Sequence, residues 1–222
     1  MKHSNQILLT IISFFLLVTS HSQTVNWKNL GAKQKHIVSA SVGFDHATTA
    51  VLGYGYHINT RWPLVVGVDY SMPFGKRLLD DFKTRVGGQL NLLRLKNFLG
   101  TVKAYGVFRR YENQYATLFN FGSEFSATMG YYRHKWWAAG EFGFDKAIVT
   151  HIRHSSLMLE YNPGLQSGWY IPTGGNAFYG IQAGYSFKRN EVYTRFGKTT
   201  WQDFKTDSPV PYYFQLGWNL KL

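Results

Sequence analysis

Tyr212-Tyr213-Phe214-Gln215-Leu216-Gly217-Trp218-Asn219-Leu220-Lys221-Leu222 decides how the chain is read. Tyr212, Phe214, Leu216, Trp218, Leu220 and Leu222 fall at every second position, with Tyr213, Gln215, Gly217, Asn219 and Lys221 between them. A period of two belongs to a strand with one apolar and one polar face. Six large apolar groups in strict alternation are an aggregation hazard on the edge of a water-soluble sheet. Against hydrocarbon they form an outer wall.

The same alternation runs back to His36. Val38, Ala40, Val42 and Phe44 oppose Ser39, Ser41, Gly43 and Asp45; Leu52, Tyr54, Tyr56 and Ile58 share a face, as do Leu64, Val66, Val68, Tyr70 and Met72. Val86, Gly88, Leu90 and Leu92 mark a fourth segment against Arg85, Gly87, Gln89 and Asn91. Weaker segments follow at Val102, Ala104, Phe108; Phe119, Phe121, Phe125, Ala127, Met129; and Ala138, Phe142, Phe144, Ile148. Ala177 to Phe187 is clear, and Val192 to Trp201 is ambiguous in phase. Backbone groups in lipid find no water, so such a sheet must close, with an even number of strands. The pattern predicts an all-β, closed antiparallel transmembrane barrel of ten strands over 36–222, with eight as the alternative. Asn59 to Trp62, Arg94 to Asn97, Arg133 to Lys135 and Lys188 to Asn190 read as short turns, the periplasmic kind, with longer connections at the other end.

Residues 1–22 read as a secretory signal peptide: Lys2, an apolar run from Ile7 to Val18, then Ser20 and Ser22, with cleavage expected between Ser22 and Gln23. The run is shorter than the roughly 17 to 25 residues a membrane helix needs. Residues 23–35 are then a periplasmic N-terminal segment. The chain has no cysteine, so thiol chemistry, disulfides and a lipidated N-terminal cysteine are all excluded. Aromatic residues (18%) outnumber charged ones (16%), a balance suited to membrane-interface belts rather than to a water-soluble surface. The formal charge of +12 does not point to nucleic acid, because export separates the chain from it and no reader motif is present.

The C-terminal stretch resembles the assembly signal of bacterial outer-membrane barrels: a polar residue, a glycine and two apolar residues near the end, here Gln215, Gly217, Leu220 and Leu222. Many members end in phenylalanine, and Leu222 departs from that. The resemblance implies a monomer inserted by the barrel assembly machinery and surrounded by outer-membrane lipids. It covers the superfamily and no particular family within it.

In this register Asp45, Asp69, Lys83, Arg85, Lys103, Arg109, Glu124, Glu141, Asp145 and Arg195 point into the lumen. Asp69 and Arg85 stand equally far from the loop between them, which makes them an expected ion pair. Buried ions must be paired, so these charges are expected to fill a narrow interior; the alternative is a narrow pore with a charged bore for small solutes or ions. Arg61, Arg94, Lys96, Arg133, Lys135, Lys188 and Arg189, beside Trp62, Trp136 and Trp137, form a basic periplasmic rim suited to anionic headgroups.

The longest connection, 151–175, with Arg153, Tyr161, Trp169 and Tyr170, is the expected surface for an envelope partner. It also contains His154, Ser156 and Glu160, the residue types of a hydrolytic triad. A lipid A deacylase resemblance fails there, because Leu157 occupies the place of that family's asparagine and Glu160 does not match its spacing; a lipid hydrolase stays as a second alternative. His151 and His154 lack a third metal ligand, and no cofactor is expected. Asp45 and His46, adjacent on a strand, face opposite ways. Gly53, Gly55, Gly87 and Gly88 lie in strands and open no helix, so they cradle no phosphate. The competing fold is a soluble lipocalin-like barrel with its apolar face inward.

Overall fold

The computed structural model describes residues 24–44, 48–73, 81–172, 174–202 and 207–222, the side chains of 207–210 excepted. The strands follow the alternation: β1 (His36–Phe44), β2 (Thr48–Ile58), β3 (Leu64–Pro73), β4 (Asp81–Leu95), β5 (Phe98–Glu112), β6 (Ala116–Tyr132) and β7 (Trp136–His154). A short helix α1 (Ser156–Tyr161) and a three-residue strand β8 (Gly168–Tyr170) occupy the long connection, before β9 (Gly175–Phe187), β10 (Asn190–Trp201) and β11 (Asp207–Lys221). Every pairing is antiparallel; β7 pairs with β9, and β1 with β11, so among the described residues ten strands close one barrel. Ten, rather than eight, is therefore the strand number. β8 lies beside Thr150–Ile152 of β7, beyond the last β7–β9 pair.

The closing seam is zipped to its end. His36 and Leu222 exchange both backbone hydrogen bonds, at 3.1 and 2.8 Å. This places the two ends of the barrel on the side of the short turns. Lys96 and Lys188 open the two-residue turns in the left-handed conformation (φ 53° and 55°), where glycine is the usual occupant.

Side chains alternate as the pattern requires, with the apolar row outside. Val38, Leu52, Val86, Phe125, Met129, Ile181 and Leu216 are exposed on the wall, while Ser39, Asp69, Arg85, Gln89, Glu124 and Gln182 are buried inside. A soluble barrel would show the reverse. The ambiguous strand β10 resolves with Glu191, Tyr193 and Arg195 inward and Val192, Thr194 and Phe196 outward. Its phase is masked in the sequence by Tyr193, a large ring on the polar face. That ring lies over Gly217 of β11 so closely that a Cβ there would overlap it; Trp137 lies over Gly184 and Phe178 over Gly143 in the same way. The inward glycines are thus seats for aromatic rings from neighbouring strands. One bulge, where Phe121 opposes Val149 and Gly122 opposes Ala147, leaves Ile148 unpaired and reverses the facing of the top of β7.

Outward aromatic rings form two belts. Tyr70, Phe82, Phe108, Phe121 and Trp169 follow one another from β3 to β8 with centroids 5.0 to 6.3 Å apart. Nearer the short turns, His36 packs on Tyr54 and Tyr56, and Tyr131 on Phe98 and Trp136. On β5 the belts are separated by the ten residues from Phe98 to Phe108, and on β6 by the ten from Phe121 to Tyr131. At about 3.3 Å per residue and a tilt of roughly 40°, both spacings correspond to a band about 25 Å tall.

Candidate functional site

The lumen is where the polar chemistry collects, and its charges are laid down by register. Asp69 of β3 is the Cα partner of Arg85 of β4. One Arg85 guanidinium nitrogen reaches Asp69 Oδ2 at 3.4 Å, and another reaches Glu124 Oε2 at 3.4 Å on β6, passing over β5. Arg195 donates to Glu141 Oε1 at 3.2 Å and to Gln215 Oε1 at 3.1 Å, and pairs with the second oxygen of Glu141. The Tyr213 hydroxyl donates to Glu141 Oε1 at 2.6 Å, and Gln215 in turn donates to Ser41 Oγ across the seam at 2.6 Å. Lys103 stands within electrostatic reach of Glu124, Glu141, Arg85 and Arg195, which joins the two clusters. All of these charged groups are buried. Nearer the long-loop end, Lys83 and Arg109 are register partners, and Arg109 pairs with Asp81 at 2.9 Å. Asp145 faces inward and is half-buried; Asp45 and His46 lie outside the described residues.

The charges thus pair within the lumen: Arg85 of β4 with Asp69 of β3 and Glu124 of β6, and Arg195 of β10 with Glu141 of β7. Buried ions of opposite sign held this close offset each other's desolvation.

Below the waist the lumen holds part of its own chain. Thr24, Val25, Asn26 and Trp27 lie inside the short-turn end, all buried, Asn26 wholly so. The Asn26 backbone N–H donates to both carboxylate oxygens of Glu191, at 2.9 and 3.2 Å, and its side-chain amide donates to Arg133 O (2.9 Å) and Ser186 Oγ (3.0 Å). Thr24 donates to Gln182 Oε1 at 2.9 Å, and its carbonyl accepts from Asn219 at 2.6 Å. Glu191 pairs with Lys221 at 2.5 Å, both completely buried, and Lys221 also donates to Asn29. Val25 and Trp27 pack into a cluster with Ile37, Val65, Leu99, Tyr132, Trp137 and Tyr193. Nothing in the strand periodicity signals this insertion. The trace it leaves in the sequence is Lys221, a charge on the polar face of the last segment with no expected partner.

The three hydrolase candidates are not brought together. His154 Nδ1 lies 3.5 Å from Ser167 Oγ, Ser156 opens α1 at the surface, and Glu160 is exposed on that helix; among the described residues they share no hydrogen bond. Ser155 is the helix cap, accepting from Met158 N at 3.2 Å and donating to Gln114 O at 2.9 Å. His151 packs on Trp169 outside the barrel, 4.9 Å between centroids, so His151 and His154 do not converge.

The seven rim cations Arg61, Arg94, Lys96, Arg133, Lys135, Lys188 and Arg189 are all exposed at the short-turn end. Of the assembly-signal residues, Gln215 is taken up by Arg195 and Ser41, Gly217 seats Tyr193, and Leu222 ends the seam on His36.

The barrel is closed, apolar outside and polar inside, the arrangement of a barrel that spans lipid. Solved structures similar to it include a KdgM porin, 8% identical with a TM-score of 0.43, and a KdgM porin in complex with disordered oligogalacturonate, 7% identical with a TM-score of 0.42. Each comparison covers 84% of this chain and 99% of the other. No protein-family model matches the chain, and no curated protein matches it in sequence.

Proposed function

We propose that this protein is a monomeric outer-membrane barrel of structural or binding role, with a sealed lumen and its partner-contacting surface on the long loop. The observation that carries the location is the pair of aromatic belts, equally spaced on β5 and β6 around an apolar wall. The sealed interior is supported by the interlocked ion pairs at the waist and by residues 24–27 seated below them. A barrel closed at two levels serves as a platform, and its variable surface is then the 151–175 connection. There Tyr161 and Ile171 are 77% and 81% exposed, beside the exposed Arg153. The short turns face the periplasm in this reading, where the basic rim meets anionic headgroups.

Membrane fractionation with heat-modifiable gel migration tests the location; a chain that stays soluble without detergent overturns it. Planar-bilayer recording tests the seal. No stable conductance is expected, and a reproducible single-channel step would make the protein a narrow pore instead.

A further inference from the structure

A groove of about 450 Å³ lies on the outer wall at the short-turn end, lined by Ile58, Thr60, Arg61, Trp62, Leu64 and Leu90. Its floor continues the lipid-facing wall: Leu64 and Leu90 are register partners on β3 and β4, and Ile58 pairs with Leu64 from β2. Thr60 holds the turn by donating to the Trp62 carbonyl. The Asn91 N–H donates to Pro63 O at 3.0 Å, which holds the turn beside β4. Arg61 is exposed on the groove, whereas Arg94, in register with the inward Leu99, belongs to the lumen side of the rim. Among the described residues, the short turns and the two positions flanking each contain one acid, Glu191, which is buried against Lys221. An apolar trough opening at the interface belt beneath an exposed cation is complementary to one kind of molecule. It matches an acyl chain that ends in a negatively charged headgroup.

We infer that this groove seats a single anionic phospholipid, its acyl chain along Ile58, Leu64 and Leu90, its glycerol region against Trp62, and its phosphate on Arg61. The site rests on the membrane reading above and gives the basic rim one defined position among otherwise diffuse contacts. Leu90 supplies the floor and Arg61 the charge, so the two contributions are separable.

The test uses the full chain equilibrated with vesicles of equal phosphatidylglycerol and phosphatidylcholine, extracted in detergent, and weighed with its retained lipid by native mass spectrometry. Wild type is expected to retain phosphatidylglycerol over phosphatidylcholine by about fivefold or more. Arg61→Gln should abolish that preference. Leu90→Trp, which fills the floor and leaves every cation in place, should expel the bound lipid, whereas Lys33→Gln, an exposed cation of the N-terminal segment outside the rim, should change nothing. Equal retention of the two lipids by wild type overturns the inference, as does wild-type retention by both Arg61→Gln and Leu90→Trp, or an equal loss in Arg61→Gln and Lys33→Gln. Heat-modifiable migration of each variant reports the barrel independently. A wild-type chain lacking it would defeat the membrane reading itself, not the groove alone.

Discussion

Asp69 and Arg85 face each other in register on adjacent strands and meet at 3.4 Å inside the barrel, with Glu124 taking a second guanidinium nitrogen at the same distance. Removing the cation leaves two buried carboxylates without it. Arg85→Ala is expected to destabilise the folded barrel by about 3 kcal/mol or more. Adding Asp69→Asn and Glu124→Gln should recover much of the loss. Urea midpoints of gel migration in detergent measure both; an Arg85→Ala midpoint equal to wild type would show that the pair contributes nothing.

The wall is expected to behave as hydrocarbon-facing surface. Phe125 lies between Phe121 and Tyr131 on β6, 57% exposed, near the middle of the band. In lipid, Phe125→Arg should cost about 2 to 4 kcal/mol. On a water-exposed surface the same change would stay within roughly 0.5 kcal/mol. Refolding titrations into vesicles decide between the two.

Gly217→Val places a branched side chain where the Tyr193 ring lies. Overpacking of this kind costs about 1 to 3 kcal/mol. Tyr193→Ala should relieve it in the double variant, and urea midpoints across the cycle would show coupling between the two sites. Strict additivity would mean the ring does not depend on the glycine.

Cysteine scanning can locate the N-terminal segment, because the chain has no cysteine of its own. Asn26→Cys should resist a membrane-impermeant maleimide in the folded barrel, while a cysteine at the exposed Gly31 should react at once. Thr24→Cys with Gln182→Cys should be joined by a short bifunctional thiol cross-linker, as the native side chains meet at 2.9 Å. Rapid labelling at position 26 would place the segment outside the lumen.

Replacing 156–166 by a short glycine-serine linker should leave heat-modifiable migration unchanged, since α1 and its surroundings lie beyond the paired part of β7 and β9. Loss of the barrel would show that the loop supports the fold rather than decorating it.

Strand positions, the direction of each face and the short turns were legible along the chain, because period-two alternation reports which side of a strand meets hydrocarbon. Asp69 and Arg85 could be paired for the same reason: an antiparallel register counts outward from one loop. Where rings sit on the polar face, as Tyr193, Trp137 and Phe178 do, the alternation misleads, since each ring is accommodated by a glycine on another strand. The helix α1 and strand β8 carry too few residues for a period to show.

Amino-acid order alone determined that the sheet must close with its oily rows outward, since every strand carries that information locally in its own alternation. Only the tertiary structure decided what fills the enclosed space. That Arg85 also meets Glu124, and Arg195 meets Glu141, depends on strands that do not adjoin in sequence, and residues 24–27 reach Glu191 and Asn219 only because closure brings groups more than a hundred residues apart within hydrogen-bonding distance. No local pattern encodes such a meeting, because the hydrogen bond exists only once the wall around it has formed.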